Sequence, residues 1–116
     1  MSARDPRAYL FDVAQACELL TEFTRGRTLD DYLGDAMLRS AVERQFEVAG
    51  EALRRALEHD ASMKVRIQDA VRIVAFRNRL AHGYATVSNE VVWGIVEGAL
   101  PTLWRDVQAL LDQMQP

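Results

Sequence analysis

The chain has little of what covalent or metal stapling requires: among 116 residues there are one cysteine, Cys17, and two histidines, His59 and His82. A lone cysteine excludes an intrachain disulfide framework and any cysteine-based zinc site, and it fits the reducing cytoplasm, where the protein is expected. Neither a CxxC nor a His-x-x-x-His spacing occurs, so no metal and no other cofactor is expected. A nucleophile elbow, a glycine-rich phosphate loop and an aspartate pair at metal spacing are missing as well. So are long apolar runs. The stretch Val91 to Trp93 resumes after Gly94 for only Ile95 and Val96, far short of the roughly 20 residues that cross a bilayer. The opening Met-Ser-Ala-Arg-Asp-Pro leads into no apolar run with a cleavage site, so neither a membrane span nor a signal peptide is expected. With no internal repeat, low-complexity tract or linker, residues 1–116 read as a single domain.

What is present is ordinary globular composition, 49% hydrophobic and 27% charged. At this length folding removes about two-thirds of the unfolded chain's surface from water, enough for a core without staples. The net charge of −3, from 14 basic and 17 acidic residues, argues against a protein that coats nucleic acid through bulk positive charge. The distribution is uneven. Lys64, Arg66, Arg72, Arg77 and Arg79 are met in their segment by Asp69 alone, a local balance of +4 against −7 elsewhere. That segment is equipped to attract a phosphate, although single arginines of this kind commonly pair with carboxylates on neighbouring helices.

Periodicity points to helices almost throughout, and no stretch alternates as a strand does. Asp5-Pro6 supplies an N-cap and a first-turn proline, after which Leu10, Val13, Cys17 and Leu20 recur at helical spacing to about Thr24, where Gly26 stops the helix. Thr28-Leu29-Asp30-Asp31 has the form of a capping box for a short helix or turn ending at Gly34. From Asp35 the set Leu38, Val42, Phe46, Ala49, Leu53 and Leu57 marks a long amphipathic helix, with Arg39, Glu43, Glu47, Arg54 and Glu58 between. His59 to Ser62 breaks the pattern, and Ile67, Val71 and Val74 start a third helix that ends near His82, before Gly83. Ser88 caps a last helix carrying Val92, Val96, Leu100, Leu103, Val107, Leu110 and Met114, in which Pro101 predicts a kink. Short connections make such helices antiparallel neighbours, so the fold is expected to be all-α, an up-and-down four-helix bundle with a short additional helix or turn. Trp93, Trp104, Phe46 and Phe76 lie on or beside the apolar stripes and read as core or dimer interface.

The segment with chemistry is Phe76-Arg77-Asn78-Arg79-Leu80-Ala81-His82-Gly83-Tyr84, where guanidinium, carboxamide, imidazole and phenol gather at a helix C-terminus. Asn78 and His82 share a helix face, but Arg77 and His82 are about 140° apart on an ideal helix. Either the helix unwinds before His82, or two copies of the segment meet across a two-fold axis. Histidine titrates near neutrality and exchanges a proton with a ribose 2′-hydroxyl or a leaving oxygen, while a nearby arginine stabilises the charge of a phosphorane. Metal-free RNA cleavage needs little more. The same Arg and His also suit a helix C-terminus simply as cations meeting the negative end of its dipole, and Tyr84 taken alone suits a packing role.

Arg77, four residues, His82, one residue, Tyr84 resembles the RxxxxHxY signature of the HEPN superfamily, specifically its HepT-like toxins. The resemblance covers about residues 8 to 112 and includes Leu19 to Thr24 with Gly26, Val42 to Ala52, Val91-Val92-Trp93, and Leu100-Pro101, in order and approximate spacing. It implies a helical homodimer with the two motif segments near one another in a cleft, acting as a metal-independent ribonuclease toxin on an RNA substrate. By the same resemblance, Arg77 stabilises transition-state charge, His82 is the acid–base residue, Asn78 orients His82 or a phosphate oxygen, and Arg79 supports them. The implied partner is a minimal nucleotidyltransferase antitoxin that transfers AMP from ATP onto Tyr84. Phosphodiester charge two residues from His82 would occupy the place of an RNA phosphate and pair with Arg77. The chain departs from the family in the loop from His59 to Val65 and in Ala85-Thr86, departures that bear on the substrate groove. A second reading, of another class, is a non-catalytic nucleotide-binding or scaffolding subunit of a nucleotidyltransferase complex, which the overall acidity suits; a third is a plain helical oligomerisation domain.

Overall fold

The computed structural model describes residues 5–82 and 87–114. Among them the chain forms seven helices and no strand: α1 (Pro6–Thr24), α2 (Leu29–Leu33), α3 (Ala36–His59), α4 (Met63–Arg66), α5 (Ala70–His82), α6 (Asn89–Glu97) and α7 (Ala99–Gln113). The boundaries follow local chemistry. The Asp5 carboxylate accepts from the Arg7 amide at 2.8 Å to open α1, and Gly26, at φ +71°, turns the chain away after it. Thr28 and Asp31 close the expected capping box, each side chain accepting from the other's amide at 3.2 and 2.9 Å. Asp35 caps α3 through the Leu38 amide at 3.0 Å, and Ser88 caps α6 through that of Val91 at 3.2 Å.

The apolar stripes of the long helices meet in one core. α1 packs along α3, α3 along α5 and α1 along α7, while α6 lies on α7 and α2 lies against both α3 and α6. Leu10, Val13, Cys17 and Leu20 from α1 meet Val42, Phe46, Ala49 and Leu53 from α3, with Leu103, Val107 and Leu110 from α7. Phe46 and Phe76 pack edge to face at 5.3 Å and lock α3 to α5. Trp93 is buried against Tyr32, and Trp104 is half-buried on the core. Burial pushes the Cys17 thiol up to about 12, which leaves it an inert packing group. Among the described residues no helix is long and apolar enough to cross a membrane.

Two sequence expectations need correction. The third helix buries Ala70, Ile73 and Phe76, and Val71 is 61% exposed. The break over 67–69 explains this: it resets the helical phase, so Ile67 belongs to the connection and predicts nothing about the face of α5. The last helix is also two helices, parted at Gly98 instead of kinked at Pro101. The break places Pro101 in the first turn of α7, where amides have no intrahelical acceptor and a missing N–H costs nothing.

Candidate functional site

α5 carries the motif and lies at one edge of the bundle, with α3 and the short α4 as its main neighbours. Its start is tied to α7 by the Asp106 carboxylate, which accepts from the Gln68 amide at 3.0 Å, and by a hydrogen bond from Arg66 to Gln113. Further along, Arg77 leaves α5 opposite Gly50 of α3. A β-carbon on Gly50 would lie 2.2 Å from Arg77 Cβ and 2.7 Å from its Cγ, so the two helices approach there as only glycine permits.

The close approach delivers the Arg77 side chain into a cleft of about 470 Å³ lined by Tyr9, Asp12, Arg44, Glu47, Val48, Glu51, Ala52, Arg55 and Arg77. The side chain is 27% exposed; NH2 lies 3.5 Å from Glu51 Oε1, and NH1 donates to Asn78 Oδ1 at 3.1 Å. Arg77 Nε is buried with no acceptor among the described residues. Glu51 is a hub. Arg54 donates to it twice, at 3.0 and 2.9 Å, and Arg55 once at 3.1 Å. Those Arg54 hydrogen bonds, with the charges of Arg54 and Arg77 and the bond from Arg55, outweigh partial burial and hold its carboxyl at about 2. The carboxylate therefore stays ionised and anchors Arg77 from the α3 side.

α5 remains α-helical through His82, so the unwinding that would let one chain aim both residues at one atom does not occur. His82 ends the helix, exposed, about 7.5 Å further along the axis and about 140° around from Arg77. It is not among the residues lining the Arg77 cleft. Asn78 is half-buried and lines a second groove with Leu57, Val71, Val74 and Ala75, while Arg79 is exposed. Tyr84, Gly83 and the Ala85-Thr86 pair lie outside the described residues. Among the described residues no group of three or more His, Cys, Asp or Glu side chains is placed to hold a metal ion.

An arginine held by a carboxylate in a cleft between two helices is an arrangement suited to phosphate chemistry, and comparison with known proteins shows the family. The sequence profile of the family described as "Ribonuclease HepT-like" matches residues 13–110. The chain belongs to the HepT-like ribonuclease family. It is 33% identical over 100 residues to the "Probable ribonuclease HepT" of Thermococcus cleftensis, covering 86% of this chain and 90% of that one. A "Putative RNase" of Methanocaldococcus jannaschii is 31% identical over 108 residues, covering 93% and 98% of the two chains. Another, of Caldanaerobacter subterraneus, is 29% identical over 110 residues, covering 95% and 97%. No solved structure gave a significant match.

Within this HepT-like chain, the cleft residues contributed by α1 and α3 were not singled out by sequence reasoning. Arg44 and Glu51 entered there only within the Val42 to Ala52 block of the family resemblance, and Arg55 was given no role. Gly50 was the available signal: a glycine inside a long helix costs about 1 kcal/mol relative to alanine, and such a cost commonly marks a close packing contact.

Proposed function

We propose that this HepT-like ribonuclease is a metal-independent endoribonuclease toxin whose active site is composite, formed when two copies bring their α5 segments together. The observation that carries the reading is the uninterrupted α5. It turns Arg77 into its own cleft and carries His82 away from it, so a single chain does not present both to one phosphate. A second copy supplies what is missing. The exposed side of α5 suits that partner: Val71 and Ala75 are exposed there beside half-buried Val74 and Leu57, along a groove of about 480 Å³ that reaches Asn78.

In this reading His82 of one copy takes the proton of a ribose 2′-hydroxyl, whose oxygen attacks the adjacent phosphorus. The bond from phosphorus to the 5′-oxygen breaks, and the same His82 passes the proton on to that oxygen while Arg77 of the second copy faces the phosphate, leaving a 2′,3′-cyclic phosphate and a 5′-hydroxyl. Arg77, prepositioned by Glu51, stabilises the charge of the phosphorane, and Asn78 and Arg79 support it. The substrate is RNA, and the protein acts as the toxin of a toxin–antitoxin pair in the cytoplasm. A partner nucleotidyltransferase silences it: the Tyr84 phenol oxygen attacks the α-phosphorus of ATP, pyrophosphate leaves, and the phenolic proton passes to solvent. The added AMP puts a phosphodiester charge two residues along the chain from His82.

The test incubates the purified chain with total RNA and a panel of tRNAs in EDTA, beside Arg77→Ala and His82→Ala, with circular dichroism to verify folding. Expected are cleavage that survives the chelator, cyclic phosphate ends, and loss of activity in both variants. Mixing the two variants should restore part of the activity, because a heterodimer can assemble one site from the intact halves. No cleavage by a folded dimer whose Tyr84 carries no AMP by mass spectrometry would replace this reading with that of a nucleotide-binding subunit.

A further inference from the structure

Resting on the ribonuclease reading above, we infer that the face of α3 bearing Arg44 and Arg55 is a phosphate track that seats single-stranded RNA on either side of Arg77. Gly50 fixes where Arg77 meets α3. Arg44 lies six residues before that point and Arg55 five residues after it, about 9 and 7.5 Å along the helix axis. Both line the same cleft as Arg77. Arg44 and Arg55 are thus rooted about 16 Å apart along α3, the reach of a few nucleotides, and Arg77 enters their common cleft between those two positions. Among the described residues the two α3 arginines are little engaged: Arg44 is exposed, and Arg55 gives Glu51 only its Nε, leaving its terminal nitrogens for a ligand.

At one edge of the cleft Tyr9, itself buried in the core, stacks on the exposed His59, ring centroids 5.8 Å apart and planes 27° off parallel, and so forms a fixed wall at that end. Asp12, Glu47 and Glu51 share the cleft, so its field is nearly balanced and the arginines act as discrete donors. The expected salt dependence is correspondingly shallow, close to one increment per arginine. Carboxylates between the cations also disfavour a duplex, which brings two phosphate rows at once.

The test uses the full chain with two probes, a mixed-sequence single-stranded oligoribonucleotide for cleavage and its 2′-O-methylated counterpart, which lacks the attacking hydroxyl, for binding. Arg44→Ala and Arg55→Ala are each expected to weaken binding about fivefold at low salt. Each should reduce the slope of log affinity against log salt by about 0.7 and raise KM with no matching fall in kcat. Arg44→Lys should restore the slope, and Arg105→Ala, on α7 beside Asp106, should match the wild type. Unchanged affinity and slope in both α3 variants, with wild-type cleavage intact, overturns the inference alone. A wild type that does not cleave, while the α3 variants still flatten the slope, overturns the nuclease reading and leaves the track standing. A wild type that neither cleaves the unmodified strand nor binds the methylated probe overturns both.

Discussion

Gly50→Ala is the most discriminating substitution for the way this fold holds its arginine. The added methyl would lie 2.2 Å from Arg77 Cβ and 2.7 Å from Cγ, with the Ile73 carbonyl oxygen at 3.4 Å. Carbon atoms pack at about 3.5–4.0 Å, so α5 or the root of the Arg77 side chain must retreat by about 1.3–1.8 Å. Overpacking of that kind costs about 1–3 kcal/mol, and the better helix propensity of alanine returns about 1 kcal/mol. The expected net loss is about 0–2 kcal/mol, a fall in Tm of up to about 8 °C for a domain of this size. Activity should fall much further than stability. A displacement of about 1 Å in a positioned catalytic group costs about 100-fold in rate, and here the displaced group is the guanidinium itself. Urea unfolding and cleavage of a labelled RNA, on the same preparation at a temperature where both proteins are folded, separate the two effects. A Gly50→Ala protein as active as the wild type and more stable would refute the argument, because it would show that the α3–α5 approach yields freely and does not position Arg77.

Gly94→Ala is the contrasting case, since among the described residues nothing outside its own helix backbone lies within 4 Å of the new methyl; it should raise stability by about 0.5–1 kcal/mol in thermal unfolding and leave RNA cleavage unchanged. Tyr32 is fully buried, its hydroxyl lacks a partner among the described residues, and burial first, then the Glu43 charge, pushes the phenol up to about 12. Tyr32→Phe is therefore expected to be neutral or stabilising by up to about 1 kcal/mol, and a loss above about 2 kcal/mol would show a satisfied hydroxyl. Glu51 is held at about 2 from an ordinary 4.5, so its contribution is complete above pH 4.5 and is lost as pH falls toward 2. Urea midpoints of the wild type and Glu51→Gln should converge across that window, from a gap of about 1 kcal/mol given the solvent contact of the carboxylate; parallel curves would deny the anchor.

The helix starts were legible because each is written locally: Asp5 with Pro6, Thr28 with Asp31, Asp35 and Ser88 satisfy amides two or three residues away. Phase across a break is not local. Treating Ile67, Val71 and Val74 as one stripe extends a single helix through the interruption at 67–69, and that put Val71 on the wrong face. The motif itself was visible, Arg77, Asn78, Arg79 and His82 falling on α5, and the difficulty of aiming Arg77 and His82 together followed from helical geometry alone. The other half of the cleft was not visible, because nothing in the spacing of Arg44, Glu47, Glu51 and Arg55 says which helix faces them. That assignment depends on the contact at Gly50, a tertiary fact.

The way α5 is held also sets how the protein breathes. The connection leading into it is fastened to α7 where the Gln68 amide donates to Asp106, whereas α5 itself packs along α3. Local opening should therefore run from the His82 end inward, and backbone amides from Arg79 to His82 should exchange with solvent deuterium sooner than those near Ile73. Docking of a second copy on that flank would slow this exchange. Protection at the end of α5 thus reports assembly of the working enzyme, readable as a function of protein concentration with no RNA present.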